Sequence, residues 1–280
     1  MQTKISFLLL GFFILVIGVG YLFSQLLGNV DILYFAVIFS VLMSFISYWF
    51  SDKIVLKIAR AQEIKETEIP EIYKIVKNLC LKANLPLPKL YLIREQQPNA
   101  FATGRNKNHA AVALTQGLLT KLNSQELEGV ISHELSHIQN KDMLLQTMVV
   151  VLVGFVAILS RMFLWGQIFG GRRSGSGPLM ILGLAAAILA PLAAMLIQLA
   201  ISRKREFLAD ASAAHITLNP NSLASALEKI SADKSPMKCA QQATAHLYIS
   251  NPLKGHGLTK LFMTHPPTGD RVRALRTMTF

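Results

Sequence analysis

Residues 131–137 read Ile-Ser-His-Glu-Leu-Ser-His and contain the pattern His133-Glu134-x-x-His137. The preceding residues 123–126, Asn-Ser-Gln-Glu, combine a helix-capping residue with a glutamate three positions later, which predicts the start of a helix. On a helix, side chains four positions apart share a face, so the two imidazoles can bind one metal ion. The alternative is a solvated helix face with two histidines that bind nothing.

The same pattern predicts hydrolytic chemistry. Zinc suits imidazole ligands, and catalytic zinc sites keep a fourth position open. The ion lowers the pKa of a bound water to about 7. We therefore predict that His133 and His137 bind one Zn²⁺ per chain, and that Glu134 takes the proton of the water and later delivers it to the leaving amine.

A third protein ligand must come from elsewhere in the chain. Glu206 and Asp210 lie in the run 202–210, Ser-Arg-Lys-Arg-Glu-Phe-Leu-Ala-Asp, four positions apart on a predicted helix. One carboxylate can bind the metal while the other accepts the free N–H of a ligand imidazole. Spacing alone leaves this open against an ion pair between Glu206 and a neighbouring basic residue. The other candidates by residue type are His109, His215, His246, His256, His265 and Asp142.

Four apolar segments, at 5–27, 32–50, 143–160 and 178–202, organise the chain. Each approaches the roughly 20 residues that a membrane-spanning helix needs. The first is too long for the apolar part of a signal peptide and has no cleavage-site pattern, so we interpret the first two as a retained hairpin. The predicted units are a transmembrane hairpin (1–52), a first protease part with edge strand and HExxH helix (53–142), a second apolar hairpin (143–202) and a second protease part with the third ligand (203–280).

Basic residues flank these segments. Lys and Arg total 28 against 16 Asp and Glu, for a net charge of +12. Lys4 precedes the first segment, and Lys53, Lys57 and Arg60 follow the second, whereas the turn between them has no Lys or Arg. The positive-inside rule then places both ends of the hairpin, and the protease domain, in the cytosol. Cations beside apolar segments indicate the lipid bilayer as partner, and we expect no nucleic acid.

Composition narrows the protein class further. Apolar residues make up 52% and charged residues 16%, which excludes a disordered chain and disfavours an ordinary soluble globule. The only two cysteines, Cys80 and Cys239, form no metal-binding or disulfide pattern and indicate packing thiols in a reducing compartment. An amphipathic helix at 70–83, helical patterns at 203–216 and 221–231, and strands at 89–94 and 109–114 predict a mainly α fold with a small β-sheet.

A protease must also bind its peptide and the oxyanion of the tetrahedral intermediate. An extended peptide can pair with the edge of a sheet, and the small residues Ala110, Ala111, Val112 and Ala113 favour strand 109–114 as that edge. For the oxyanion, His265 and Arg271 are the candidate donors. The alternative is a proline-fixed entry to a last helix, with Arg271 as a structural cation.

Chemistry then constrains topology. His137 precedes the third apolar segment by six residues, about 9 Å of helix, and Glu206 lies four residues after the fourth. Both must reach one ion, so segments three and four cross the bilayer as a pair or do not cross. Either arrangement puts the zinc close to the bilayer surface, where a membrane-embedded or unfolding protein would be the substrate.

These motifs, in this order, resemble those of the HtpX-type membrane zinc endopeptidases, relatives of the CaaX prenyl-protein endopeptidases. The resemblance rests on the paired N-terminal segments, 99–104 (Asn-Ala-Phe-Ala-Thr-Gly), 133–137, 202–210, and His-Pro-Pro at 265–267 followed by Arg271. It implies a multi-span membrane protein with a zincin-like (gluzincin) protease domain. It also implies that Glu206 is the third zinc ligand, that Asp210 supports a ligand histidine, and that Asn99 lies near the cleft. The alternative for 99–104 is a plain hairpin with Gly104 in its turn.

The resemblance also implies a biological role. It indicates cleavage of misfolded or membrane proteins at the cytosolic face of the cell (inner) membrane, as part of stress-responsive quality control, and leaves the oligomeric state open. A CaaX-type prenyl-peptide protease is disfavoured because four spans are too few to enclose its chamber. A non-catalytic chaperone or adaptor with a structural metal is disfavoured because it would not need Glu134. A transporter is disfavoured because it would need ionisable residues within the spans.

Overall fold

The computed structural model of the chain describes residues 2–155, 203–239, 243–252 and 266–279. Helices dominate these residues and accompany a four-stranded sheet, so the predicted mainly α fold with a small sheet is confirmed. The helices are α1 (Gln2–Leu27), α2 (Asp31–Ile58), α3 (Pro70–Ala83), α4 (Gln116–Lys121), α5 (Ser124–Gln139), α6 (Met143–Phe155), α7 (Arg203–Thr217), α8 (Pro220–Ala232) and α9 (Thr268–Arg276). The strands are β1 (Gln62–Glu63), β2 (Lys89–Ile93), β3 (Ala100–Gly104) and β4 (Ala110–Thr115).

The first two helices form the predicted N-terminal hairpin. Gly28 adopts the left-handed region at φ +63° in the turn, and the Asn29 side chain accepts a hydrogen bond from the Asp31 amide at 2.9 Å. The segment Thr3–Gln25 has a mean hydropathy of 2.6 and Asp31–Ile58 one of 2.0. Both helices are therefore long and apolar enough to cross a membrane.

The surface of this hairpin is apolar. Large side chains that are at least half exposed lie along one side of each helix, and examples are Phe7, Leu10, Ile14, Tyr34, Phe35, Ile38 and Phe45. Soluble proteins rarely expose a continuous apolar surface of this kind. The exposure pattern therefore agrees with contact to lipid along α1 and α2.

Helix α6 packs against this hairpin. Leu145, Met148, Val149 and Leu152 are each at most 1% exposed and share a cluster with Leu8 and Phe12 of α1 and Met43 of α2. Helix α6 is the first part of the predicted second apolar hairpin, and residues 156–202 of that hairpin lie outside the described residues. The packing joins the start of that segment to the N-terminal hairpin.

The sheet has the strand order β1-β2-β4-β3. Strand β4 pairs in parallel with β2 and antiparallel with β3, with Ala102 opposite Val112 in the second pair. The prediction that strand 109–114 forms the edge is therefore wrong, because β4 lies inside the sheet and β3 is the edge. Every residue of β4 is buried, and its small apolar side chains suit a strand covered on both faces.

The two faces of the sheet pack against different parts of the protein. On one face, Ala100, Ala102, Val112 and Leu114 join a core with α3, α5 and α8. On the other, Phe101, Ala111 and Ala113 contact Val55 and Leu56 of α2, Val150 of α6 and Tyr248. The sheet therefore lies between the helix that carries the HExxH motif and the end of the membrane hairpin.

Candidate metal centre

Helix α5 carries the HExxH motif deep in the protein. Asn123 and Glu126 form the predicted capping box, because the Asn123 side chain accepts from the Glu126 amide and the Glu126 carboxylate accepts from the Asn123 amide, both at 2.9 Å. All residues from Val130 to Ile138 are buried. His133 and Glu134 are each 1% exposed, so the two side chains are shielded from solvent.

Helix α7 packs across α5 and brings Glu206 to the two histidines. The Nε2 atoms of His133 and His137 are 3.2 Å apart. Glu206 Oε2 lies 3.7 Å from His133 Nε2, and Glu206 Oε1 lies 3.7 Å from His137 Nε2. Within the described ranges, these three residues are the group of His, Cys, Asp or Glu side chains whose ligand atoms lie within 4.8 Å of one another.

The three donors fit a tetrahedral divalent ion. Zinc bonds of 2.0–2.1 Å at tetrahedral angles place neighbouring ligand atoms about 3.3 Å apart. The separations of 3.2 and 3.7 Å lie close to that value. Two imidazole nitrogens and one carboxylate also form the donor set of known zinc peptidase sites. His133, His137 and Glu206 are thus arranged as the predicted ligand set requires.

Asp210 supports the other side of His133. Its Oδ1 lies 2.9 Å from His133 Nδ1, so Nδ1–H donates to the carboxylate and Nε2 keeps its lone pair for a metal. Arg271 in turn donates from Nε and a terminal nitrogen to the two oxygens of Asp210, at 2.8 and 2.7 Å. Burial opposes ionisation of this carboxyl, but Arg271 outweighs burial and lowers the pKa of Asp210 to about 2.

Asp142 and Arg205 occupy the corresponding position beside His137. Asp142 Oδ2 lies 3.8 Å from His137 Nδ1, and Arg205 donates to Asp142 Oδ1 at 3.0 Å. A turn in the backbone directs Asp142 there. Lys141 adopts φ +61°, and the Asp142 amide donates to the His137 carbonyl at 3.0 Å in a Schellman-type helix end.

The buried charges around the site call for a cation. Glu134, Asp142, Glu206 and Asp210 are each at most 3% exposed. Among the described residues at this site, the buried or nearly buried cations are Arg271 and Arg205, with side chains 2% and 13% exposed. Among these described side chains, the carboxylates outnumber the guanidinium groups by four to two, and a divalent ion would add positive charge where the carboxylates meet.

The histidine pKa values follow the same charge distribution. Burial lowers the pKa of His133 to about 4, which keeps its ring neutral. Burial also disfavours the charged form of His137, but the contact with Asp142 and the carboxylates of Glu206 and Glu134 raise its pKa to about 9. A proton on His137 and a metal ion are alternatives, since each supplies positive charge to the same carboxylates and the metal requires a neutral ring.

Several predicted candidates lie elsewhere. His109 is exposed in the β3–β4 turn, His215 is exposed at the end of α7, and His246 is buried with its Nε2 3.1 Å from the Gln146 carbonyl oxygen. His256 and His265 lie outside the described residues. Ala110, Ala111, Val112 and Ala113 lie in the inner strand β4.

Asn99 and Arg271 have structural contacts. The Asn99 amide group donates to the Ser250 carbonyl at 2.8 Å, which fixes the start of β3. The donors of Arg271 are directed at Asp210, at the Ile249 carbonyl (3.2 Å) and towards His133 (3.4 Å). This geometry favours the alternative interpretation of Arg271 as a structural cation over an oxyanion donor.

Sequence reasoning placed Asp142 only among the candidate ligands and missed the pairing of Arg271 with Asp210. The position of Asp142 depends on the left-handed conformation of Lys141. Glycine or asparagine usually occupies such a position, and a lysine there does not indicate a turn in the sequence. Arg271 lies 61 residues from Asp210, and no spacing rule connects them. Neither contact had a local signal in the sequence.

Comparisons of this chain with a family profile and with known proteins all indicate the same protein family. A profile of Peptidase family M48 matches residues 66–279. A "Protease HtpX homolog" of Syntrophobacter fumaroxidans is 51% identical over 249 residues, covering 87% of this chain and 88% of that protein. A "Protease HtpX homolog" of Thermococcus sibiricus is 49% identical, with 94% and 90% covered, and one of Burkholderia ambifaria is 44% identical, with 99% and 96% covered.

A solved structure shares the fold. The crystal structure of S. mikatae Ste24p superposes with a TM-score of 0.52 at 18% identity. The match covers 92% of this chain but only 62% of the length of Ste24p. The likeness therefore concerns the fold alone.

Proposed function

This chain belongs to peptidase family M48, and we propose that it is a membrane-anchored, zinc-dependent endopeptidase that cleaves unfolded or membrane proteins at the cytosolic face of the cell (inner) membrane. Family membership and the two long apolar helices make it a membrane metalloprotease. The observation that carries the finer proposal is the meeting of His133, His137 and Glu206 beside Glu134 in a buried, negatively charged site.

The residues of the site divide the chemistry between them. His133, His137 and Glu206 would hold the zinc ion, which supplies Lewis acidity towards the scissile carbonyl and a water molecule. Asp210 fixes the tautomer of His133, so that the Nε2 lone pair would be available to a metal ion. Glu134 lies between the two histidines on α5, and its carboxylate takes the proton of the attacking water and passes it to the amine that leaves.

We propose that the peptide binds along β3 rather than β4. Strand β3 pairs with β4 on one side, and on its outer side the Ala100 carbonyl accepts from the Ile249 amide at 3.0 Å. The alternation of a strand directs the main-chain groups of Ala102 and Gly104 to the same outer side, where a substrate strand can pair with them. Since main-chain pairing uses little side-chain identity, we expect broad sequence preference.

The location of the site supports membrane-associated substrates. His137 lies six residues before α6, and α6 packs against α1 and α2. The basic residues Lys53 and Lys57 at the end of α2, and Arg60 just after it, support a cytosolic position for the site. A site at this depth would reach proteins that are embedded in the bilayer or unfolding at its surface, as membrane protein quality control requires.

A comparison of casein cleavage by the wild type and by Glu134→Gln tests the proposal. The purified chain should cleave casein with zinc bound, and Glu134→Gln should keep the metal and lose cleavage by at least about 100-fold, the lower range of a general base contribution. Full activity of Glu134→Gln would refute the mechanism. A farnesylated peptide cleaved in preference to casein would favour prenyl-peptide proteolysis, and client binding without turnover would favour a chaperone.

A further inference from the structure

A cleft with a volume of about 390 Å³ lies outside the metal centre, between the end of α2 and the turn from β3 to β4. Its lining includes Trp49, Phe50, Asp52 and Lys53 of α2 and Arg105 and His109 of the turn. Nothing in the peptidase chemistry uses these side chains. The cleft combines cations with aromatic rings, and this combination points to a ligand with both an anionic and an apolar part.

Arg105 is held in a fixed position in this cleft. Its guanidinium stacks over the Trp49 ring, with 4.6 Å between the guanidinium carbon and the ring centroid. It also donates to His109 Nε2 at 3.2 Å, and His109 Nδ1 donates to Asn106 Oδ1 at 2.8 Å. These contacts fix the His109 tautomer and orient the planar donors of Arg105 before any ligand binds.

The positive charges of Arg105 and Lys53 in the cleft have no ion-pair partner among the described residues. Within the part of the chain that the structure describes, no carboxylate lies within 4.0 Å of the charged groups of Arg105 or Lys53. Asp52 is the acidic residue of the lining, and Lys57 and Lys107 add further positive charge nearby in sequence. The cleft therefore keeps a net positive charge that an anion can satisfy.

The cleft lies where an apolar surface meets a charged one. Phe45, Trp49 and Phe50 are 55%, 45% and 43% exposed at the end of the apolar length of α2, and Lys53 and Lys57 follow within two turns. Tryptophan and other aromatic rings concentrate at the depth of lipid headgroups, and basic residues lie just beyond them. A lipid could thus place its acyl chain along Phe45 and its phosphate at Arg105 and Lys53.

We propose that this cleft binds the headgroup of an anionic phospholipid. Arg105 donates two N–H groups to the phosphate, Lys53 contributes a second positive charge, and Trp49 packs against the glycerol region. Because the turn that carries Arg105 begins directly after Gly104 of β3, a bound lipid would fix that edge of the sheet at the bilayer surface. This proposal stands apart from the peptidase activity, since it uses none of the residues of the metal centre.

Native mass spectrometry of the full chain in detergent tests the proposal. The wild type should retain phosphatidylglycerol over phosphatidylcholine with the same acyl chains by about tenfold or more, the effect of two cations at a membrane surface. The double variant Lys53→Gln/Arg105→Gln should lose this preference. The control Lys74→Gln/Lys82→Gln removes the same charge from exposed positions on α3 and should keep it.

Three results would overturn the proposal. They are an unchanged preference in the cleft variant, an equal loss in the α3 control, and displacement of phosphatidylglycerol by millimolar inorganic phosphate, which would assign the site to a free anion. If the double variant does not fold, Lys53→Gln alone, on an exposed side chain, should weaken retention about fivefold, and an unchanged value there would likewise refute the lipid site.

Discussion

At the scale of single residues, the site depends on how buried charges are paired. Arg271 is 2% exposed, and its bidentate contact with Asp210 is the ion pair that compensates its charge most directly. Asp210 also orients His133. One carboxylate therefore links the stability of the protein to the geometry of its ligand set.

We predict that Asp210→Asn destabilises the protein by about 3–5 kcal/mol, because it removes the nearest ionic partner of a buried guanidinium and leaves Glu206, at 4.0 Å, as the more distant one. It should also weaken zinc affinity about 10–100-fold through the misoriented His133. Thermal unfolding and a competitive chelator titration measure the two effects. Asp270→Asn is the matched control. Among the described residues, Asp270 forms its ion pair with the exposed Arg273 at 3.8 Å, and its loss should change stability by no more than about 0.5 kcal/mol.

A second prediction concerns His137. Asp142→Asn removes the carboxylate beside His137 Nδ1 while keeping its volume, and it also removes the ion pair between Asp142 and Arg205. Zinc affinity should fall about 10–100-fold, and kcat for casein should fall with it at limiting zinc. A chelator titration that gives the wild-type affinity would show that Asp142 does not orient the ligand.

At this scale, the sequence predicts the residues of the site that chemistry places at a fixed spacing along a helix. Four positions on a helix place His133 beside His137 and Glu206 near Asp210, and the structure brings His133, His137 and Glu206 together. The pairs that depend on tertiary packing, Arg271 with Asp210 and Arg205 with Asp142, had no spacing to reveal them. Contacts between residues about 60 positions apart follow from the fold and not from local sequence.

At the scale of elements, the close approach of α5 and α8 positions the HExxH helix. A Cβ added at Gly129, one turn before His133, would lie 2.7 Å from the Leu223 amide nitrogen and 2.9 Å from the Leu223 Cα. These are backbone atoms, so α8 would have to shift as a unit. A glycine in a helix interior, which otherwise weakens the helix, is required here by packing.

Gly129→Ala should therefore lower stability by about 1–3 kcal/mol, in spite of the better helix propensity of alanine. The expected fall in Tm is roughly 2–4 °C for each kcal/mol. Gly269→Ala in α9 is the control. Apart from the neighbouring residues and its own helix backbone, no atom of the described residues lies within 4 Å of the added Cβ, so the change should leave Tm unchanged or raise it. Equal Tm values for Gly129→Ala and the wild type would mean that α5 and α8 are not in close contact.

The sheet shows why element type is easier to predict than element position. Strand 109–114 was predicted as a strand and is one, because its β-branched and small apolar residues suit an extended, buried chain. Its place inside the sheet depends on β3, whose residues Ala100–Gly104 turn back through Gly104 at φ +136° to pair with it. The alternative interpretation of 99–104, as part of a plain hairpin, predicts this antiparallel pairing of β3 with β4.

At the scale of the whole molecule, α6 and the end of α2 connect the membrane hairpin to the peptidase part, since α6 packs on α1 and α2 and the end of α2 packs on the sheet. Phe12 of α1 is 1% exposed within the cluster that contains α6, whereas Phe7 on the same helix is 69% exposed. Phe12→Ala should lower Tm in detergent because it opens a cavity against α6. Truncation of a buried phenylalanine usually lowers the free energy of unfolding by several kcal/mol. Phe7→Ala should leave Tm unchanged, and a fall as large as that of Phe12→Ala would mean that α1 does not pack on α6.

The apolar segments were predictable because lipid demands long uncharged helices, and α1 and α2 match segments 5–27 and 32–50. Helix α2 continues to Ile58, eight residues beyond the predicted segment. These residues carry the basic side chains and pack on the sheet through Val55 and Leu56, so tertiary contacts extend the helix. Hydropathy alone finds the lipid-facing length of a helix and not its full extent.

The metal content of three purified proteins tests the central claim most directly. Plasma mass spectrometry should find about one zinc per chain in the wild type and in Glu134→Gln, and a large loss in Glu206→Ala, which removes one of three donors. Zinc retained by Glu206→Ala at the wild-type level, or no zinc in the wild type after purification without chelators, would contradict the account.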